Sequence, residues 1–201
     1  MSWSYTEFKI IPESERRRRL ERFDDKDKEV VEIFEKVAGD DGVIDAYELQ
    51  NLLQLCFRRE MGDYDFNLET CRSLLALYDV DMSCCIEFDE FYKLWRDLKI
   101  WYGVFKKYDI DRSFDMDKKE LRQALAGIPD LHITVKTIEI YSKRFVNRES
   151  RVGLDDFLQI IARIKCLSRS FERQMLRSGS YGRNPKAMFT LDAYVEAALI
   201  S

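Results

Sequence analysis

Residues 78–91 read YDVDMSCCIEFDEF and residues 108–121 read YDIDRSFDMDKKEL. Laid over each other, they match at Asp79/Asp109, Asp81/Asp111, Ser83/Ser113, Ile86/Met116 and Glu90/Glu120. A self-similar unit at a fixed spacing is the mark of a repeated supersecondary element. Each copy lies between two apolar stretches of helical period, so the unit is helix–loop–helix. Two weaker copies are AGDDGVIDAYEL at 38–49 and FVNRESRVGLDDF at 145–157. Each of the four loops carries one apolar residue, Ile44, Ile86, Met116 or Val152. Paired loops can join there as a short β-ribbon.

The spacing suits a hard cation. A helix–loop–helix calcium site takes oxygens from loop positions 1, 3, 5, 7, 9 and 12, with a backbone carbonyl at 7 and a bidentate Glu at 12. Asp79, Asp81, Ser83, the Cys85 carbonyl, Glu87 and Glu90 fill those places in one loop. Asp109, Asp111, Ser113, the Asp115 carbonyl, Asp117 and Glu120 fill them in the other. The defect is position 6, where glycine allows the sharp turn. Cys84 and Phe114 stand there instead. A left-handed backbone costs a non-glycine residue about 1–2 kcal/mol, which predicts calcium binding weakened about tenfold rather than abolished. An empty loop kept for packing is the alternative. In the loop at 145–156, Phe145 at position 1 and the cations Arg148 and Arg151 argue against a metal, so that copy reads as structural.

Around these loops the chain reads as all-α. Val30, Val31, Ile33, Phe34 and Val37 form one stripe, and Leu49, Leu52, Leu53, Leu55 and Phe57 a second. A third helix is predicted near 68–78. A long one from Phe88 to Tyr108 is apolar on more than one side and reads as central. Further helices are predicted at 135–145 and 154–171, with RSGSYGRNPK (177–186) as a loop and FTLDAYVEAALIS (189–201) as a closing helix. Residues 1–27 differ: WSYTEFKII alternates weakly, and a charged run follows it. Those residues are predicted to be a linker or the end of a preceding domain, with weak membrane-surface contact the alternative for Arg16–Arg19.

Composition narrows the function classes. The 201 residues carry a net charge of −4, which disfavours a nucleic-acid binder. No apolar run is long enough to span a bilayer. The five cysteines are irregularly spaced, as expected of reduced thiols in a cytoplasmic protein. A cysteine protease needs a Cys, a His and an orienting Asn or Asp, and His132 is the single histidine. The chain is therefore not expected to be an enzyme.

The stretches VAGDDGVIDAYEL, ETCRSLLALYDVD, EFDEFYKLWRDLKIW and FKKYDIDRS carry a resemblance to the penta-EF-hand family, most closely to the C-terminal calcium-binding domain of a calpain large subunit. The resemblance implies an all-α domain of about eight helices over 28–201. It implies five hands, with loops near 38–48, 79–90, 109–120, 145–156 and 177–191, the last two degenerate. It implies a shorter first loop that binds Ca2+ through the Ala38 carbonyl, Asp41, the Val43 carbonyl and Glu48, and makes this the best site. It also implies that the fifth hand pairs with another penta-EF-hand chain, either a second copy or a calpain small-subunit-like partner, through Phe189, Leu191, Tyr194, Val195, Ala198 and Leu199. The function implied is that of a calcium-binding regulatory and dimerisation domain of a calpain-type cysteine protease. A stand-alone adaptor and a calcium-independent scaffold are the alternatives.

Overall fold

A computed structural model describes residues 25–39, 41–62, 64–131, 133–145, 151–179 and 186–200, with the side chains of 25–27, 59, 60, 196, 199 and 200 outside that description. His132, the segment 1–24, residues 146–150 of the fourth loop and the centre of the fifth loop lie outside the described residues. Eight helices are described: α1 (Asp25–Val37), α2 (Ala46–Met61), α3 (Leu68–Tyr78), α4 (Phe88–Tyr108), α5 (Lys118–Ala126), α6 (Val135–Phe145), α7 (Leu154–Ser178) and α8 (Leu191–Ile200). Two short strands, β1 (Asp115–Met116) and β2 (Val152–Gly153), make the one described sheet.

The four loop apolar residues do what their position predicts. Ile44 and Ile86 exchange backbone hydrogen bonds of 3.0 and 2.9 Å as an antiparallel bridge. Met116 pairs with Val152 in the β1–β2 ribbon. All four side chains are buried. The first and second hands are thus one unit, and the third and fourth another.

Helix α4 is central, as its two-sided apolar pattern predicts. It buries Phe88, Phe91, Leu94, Trp95, Leu98, Trp101 and Phe105. At its start Phe34 of α1 meets Phe88 and Phe91, with ring centroids 5.2 and 5.4 Å apart. At its end Phe105 meets Phe157 of α7 at 5.5 Å. One continuous helix therefore leaves the second hand and enters the third, spanning both units.

Helices α3 and α7 close the other side. Arg169 of α7 donates to the Leu77 carbonyl, and Arg163 reaches Glu69 at 3.5 Å. Helix α7 runs to Ser178, beyond the expected 154–171, and stops where Gly179 turns left-handed at φ 63°. Leu55, assigned above to the α2 stripe, is 67% exposed. Six residues beyond Leu49, it is rotated well off the face that Leu49, Leu52 and Leu53 bury.

Candidate metal centres

The first hand begins where α1 ends. Gly39 and Gly42 adopt φ of 56° and 74°, the left-handed turns that let so short a loop reverse. Asp41 Oδ1 accepts the Val43 N–H at 3.2 Å. Asp45 caps α2 by accepting from the N–H groups of Tyr47 and Glu48, both at 2.8 Å. Glu48 reciprocates, accepting the Asp45 N–H at 2.9 Å. This capping box ties the proposed bidentate ligand to the helix start. Burial pushes the Glu48 carboxyl above the ordinary range, and the charges of Asp45 and Asp41 push it further. Burial also raises the Cys85 thiol, helped by the charges of Asp45, Asp41 and Glu48. The carboxylates of the first hand thus form a local negative field that a cation would relieve.

The second hand is held by its own hydrogen bonds. The Ser83 N–H is shared between Asp79 Oδ1 at 3.0 Å and Asp81 Oδ1 at 3.1 Å. Cys84 N–H donates to Asp79 Oδ2 at 2.8 Å, and Ser83 Oγ to the Cys85 carbonyl at 3.0 Å. Glu90 folds over the loop, accepting from Val80 N–H at 3.0 Å and Glu87 N–H at 3.1 Å. Cys84 sits at φ 64° and Phe114, its counterpart, at φ 61°, so both take the left-handed turn that glycine would favour. Met82 and Arg112, two residues earlier, are left-handed as well, at 60° and 56°. Both loops thus make the turn without glycine, at the cost of backbone strain. Where the turn exists before calcium binds, that strain falls on the fold and not on affinity. All five cysteines are free, and Cys84 and Cys85 do not pair with each other.

The third hand repeats this scaffold closely. Ser113 N–H is shared between Asp109 and Asp111 at 3.0 and 3.1 Å, and Phe114 N–H donates to Asp109 Oδ2 at 3.1 Å. Glu120 closes a capping box with Asp117 at 2.9 Å. Burial raises the Asp109 carboxyl, whereas hydrogen bonds from Ser113 and then the charge of Arg151 lower Asp111. One feature has no equivalent in the second hand. Arg151, which leaves the fourth loop just before β2, lays its guanidinium among these oxygens. Its Nη2 donates to Ser113 Oγ at 2.5 Å, the Asp115 carbonyl at 2.9 Å and Asp111 Oδ2 at 3.1 Å, and lies 3.8 Å from Glu120 Oε2. Its Nε donates to Asp115 Oδ1.

In the fourth hand Asp155 accepts the Tyr64 hydroxyl, while burial and the charge of Asp155 push Asp156 up to about 6. Asn147 and Glu149 of that loop lie outside the described residues.

Among the described residues, no three His, Cys, Asp or Glu side chains gather as a ready-made metal cluster. The loops rely instead on mixed donors: carboxylates, serine hydroxyls and carbonyls. That oxygen-only set fits calcium in the first two hands. In the third, a guanidinium stands among the same donors. Sequence reasoning missed the capping boxes, although D-A-Y-E (45–48), E-F-D-E (87–90) and D-K-K-E (117–120) spell them. It counted Arg151 only against the fourth hand. The legible signal was its place next to Val152, which the ribbon sets beside the third loop.

No family model matches the chain. Sorcin from Mus musculus is 32% identical over 169 residues, covering 83% of this chain and 80% of sorcin. Calpain small subunit 1 from Rattus norvegicus is 28% identical over 158 residues, covering 78% of this chain. The chain spans only 58% of that subunit's length. A solved homologue of programmed cell death 6 protein from Leishmania major Friedlin shares the fold, with a TM-score of 0.58 and 24% identity over 85% of this chain and 92% of its own. With its hands joined through Ile44–Ile86 and Met116–Val152 and its sequence kinship to sorcin, the chain belongs to the penta-EF-hand family, a family of calcium-binding proteins.

Proposed function

We propose that the chain is a calcium-responsive regulatory and pairing module of the calpain type, with the first hand as its principal calcium site. The observation that carries this reading is the first loop itself. Left-handed glycines shape it, and a half-buried Glu48 is oriented by a capping box beside Asp41 and Asp45. The donors would be the Ala38 and Val43 carbonyls, Asp41 and Glu48. The second hand, through Asp79, Asp81, Ser83, the Cys85 carbonyl and Glu90, is the next site. Calcium would neutralise the clustered carboxylates and so bias the angle between α1 and α2.

Pairing rests on α8. Leu191 and Tyr194 are 77% and 62% exposed, and Val195 and Ala198 are exposed with them, while Ala197 is buried. Phe189 is half-buried, and the Leu199 side chain lies outside the described ones. An apolar helix face left open in this way suits a second penta-EF-hand chain. No helix among the described residues is long and apolar enough to cross a membrane. Five free thiols suit a cytoplasmic setting. Any proteolytic activity would reside in a partner domain, with this module regulating it. A stand-alone adaptor is the second reading, favoured by the match across 80% of sorcin's length.

Calorimetric calcium titration of the wild type and Glu48→Gln tests the principal site. The substitution keeps the side chain's size and hydrogen-bonding oxygen but removes its charge. It should abolish the tightest binding event. An unchanged tightest site would refute the ranking, and no binding at millimolar calcium would refute the sensor reading.

A further inference from the structure

The geometry points to Arg151 as the resident cation of the third hand: its guanidinium takes the place calcium would need, latching the third and fourth hands together without metal. This inference rests on the reading of these loops as calcium loops. The residues that make the third hand a calcium loop on paper are the ones Arg151 engages. A single nitrogen, Nη2, bonds to donors at loop positions 3, 5 and 7, namely Asp111, Ser113 and the Asp115 carbonyl, and pairs with the position-12 carboxylate of Glu120 at 3.8 Å. A calcium ion draws its oxygens in to about 2.3–2.6 Å. It could not share these donors with a guanidinium nitrogen lying within hydrogen-bond distance of three of them. Charge complementarity is also met: Arg is always protonated and presents a rigid fork of donors to carboxylates.

The placement follows from the fold. β2 pairs with β1 so that Met116 meets Val152, which sets the preceding residue, Arg151, beside the third loop. The other pair of hands is an internal control. There Ile44 meets Ile86, and the residue before Ile44 is Val43, which carries no charge. The hydrogen-bond scaffolds of the second and third loops are otherwise alike: the serine N–H is shared by two aspartates in both, and the serine hydroxyl donates to the position-7 carbonyl in both. What separates the two loops is the intruding cation together with the Asp115 carboxylate it binds, where the second loop has Cys85. Arg151 is tied to the third loop by the ribbon, so it competes with calcium at an effective concentration on the order of millimolar or above. Calcium can bind there only in the fraction of molecules whose arginine has left, which lowers its apparent affinity by that fraction.

The test is calcium stoichiometry on the full chain, measured by flow dialysis for wild type, Arg151→Gln, Glu120→Gln and the double variant. Arg151→Gln should bind one more calcium ion than wild type, with third-hand affinity raised about tenfold or more. Glu120→Gln should remove that ion in the Arg151→Gln background and leave the wild-type stoichiometry unchanged. Loss of an ion from the wild type on Glu120→Gln would overturn the inference. So would Arg151→Gln gaining no ion while first-hand binding persists. Should Arg151→Gln fail to fold, the wild type itself decides. Its Arg151 Nε–H should exchange slowly with solvent in NMR, with and without calcium, and exchange at the rate of a free arginine would overturn the assignment. The Glu48→Gln titration fails or succeeds separately, since it reports the first hand alone.

Discussion

Replacing Cys84 with glycine should stabilise the fold and leave calcium binding almost unchanged. Cys84 holds φ at 64°, and its side chain is exposed, so the substitution removes strain without leaving a cavity. The left-handed turn costs a non-glycine residue about 1–2 kcal/mol. Glycine returns part of this through its greater freedom when unfolded, about 0.5–1 kcal/mol. The net gain is therefore about 0.5–1 kcal/mol, or a rise in Tm of about 1–4 °C for a chain of this size. The Cys84 N–H bond to Asp79 Oδ2 survives the change, because it is a backbone donor. Thermal unfolding in chelator, paired with a calcium titration, reads both quantities. The expected result is the Tm rise with second-hand affinity changed less than about threefold, since a strain present before and after binding cancels from the binding equilibrium. A tenfold gain in affinity with no change in Tm would refute the reasoning. It would mean that the turn forms only when calcium arrives.

Other outcomes follow from the same geometry. Ile86→Ala empties a fully buried site in the bridge between the first two hands and should cost about 2–5 kcal/mol by urea unfolding, and a loss well under 1 kcal/mol would contradict the packing. Asp156 has a folded pKa of about 6, above the ordinary aspartate value of about 3.9. Its contribution to stability is thus complete below about pH 4 and is lost as pH rises through about 6. Asp156→Asn should flatten that part of the stability profile, whereas parallel profiles would count against a raised pKa. Leu191→Asp and Tyr194→Asp alter exposed positions of α8 and should leave Tm nearly unchanged while splitting a pair in sedimentation. A wild type that is monomeric at every concentration would remove the pairing reading.

The architecture was readable because it is written in local, periodic terms. The apolar spacing of Phe88–Tyr108 marks a helix buried on several sides, and the structure places it between α1 and α7. The single apolar residue in each loop names the ribbon partners, since only that residue can be buried where two loops meet. The site was readable in part. Oxygens at fixed intervals identify the loops, and the missing glycine identifies Cys84 and Phe114 as left-handed. Whether that strain falls on binding or on folding is a difference between two states, which a string of residues does not contain.

By itself the sequence determined the repeat, the helices and the spacing of oxygen-bearing residues in the second and third loops, because each depends on neighbours within a dozen residues. Only the tertiary structure brought a guanidinium among the third loop's oxygens. Arg151 stands some thirty to forty residues beyond the third loop's carboxylates. It reaches Asp111 and Ser113 because β2 is paired with β1, and in the sequence it counts merely as a charge in the wrong loop. The resemblance implied an open apolar face on the last helix, and the structure leaves Leu191 and Tyr194 of α8 exposed while Ala197 is buried.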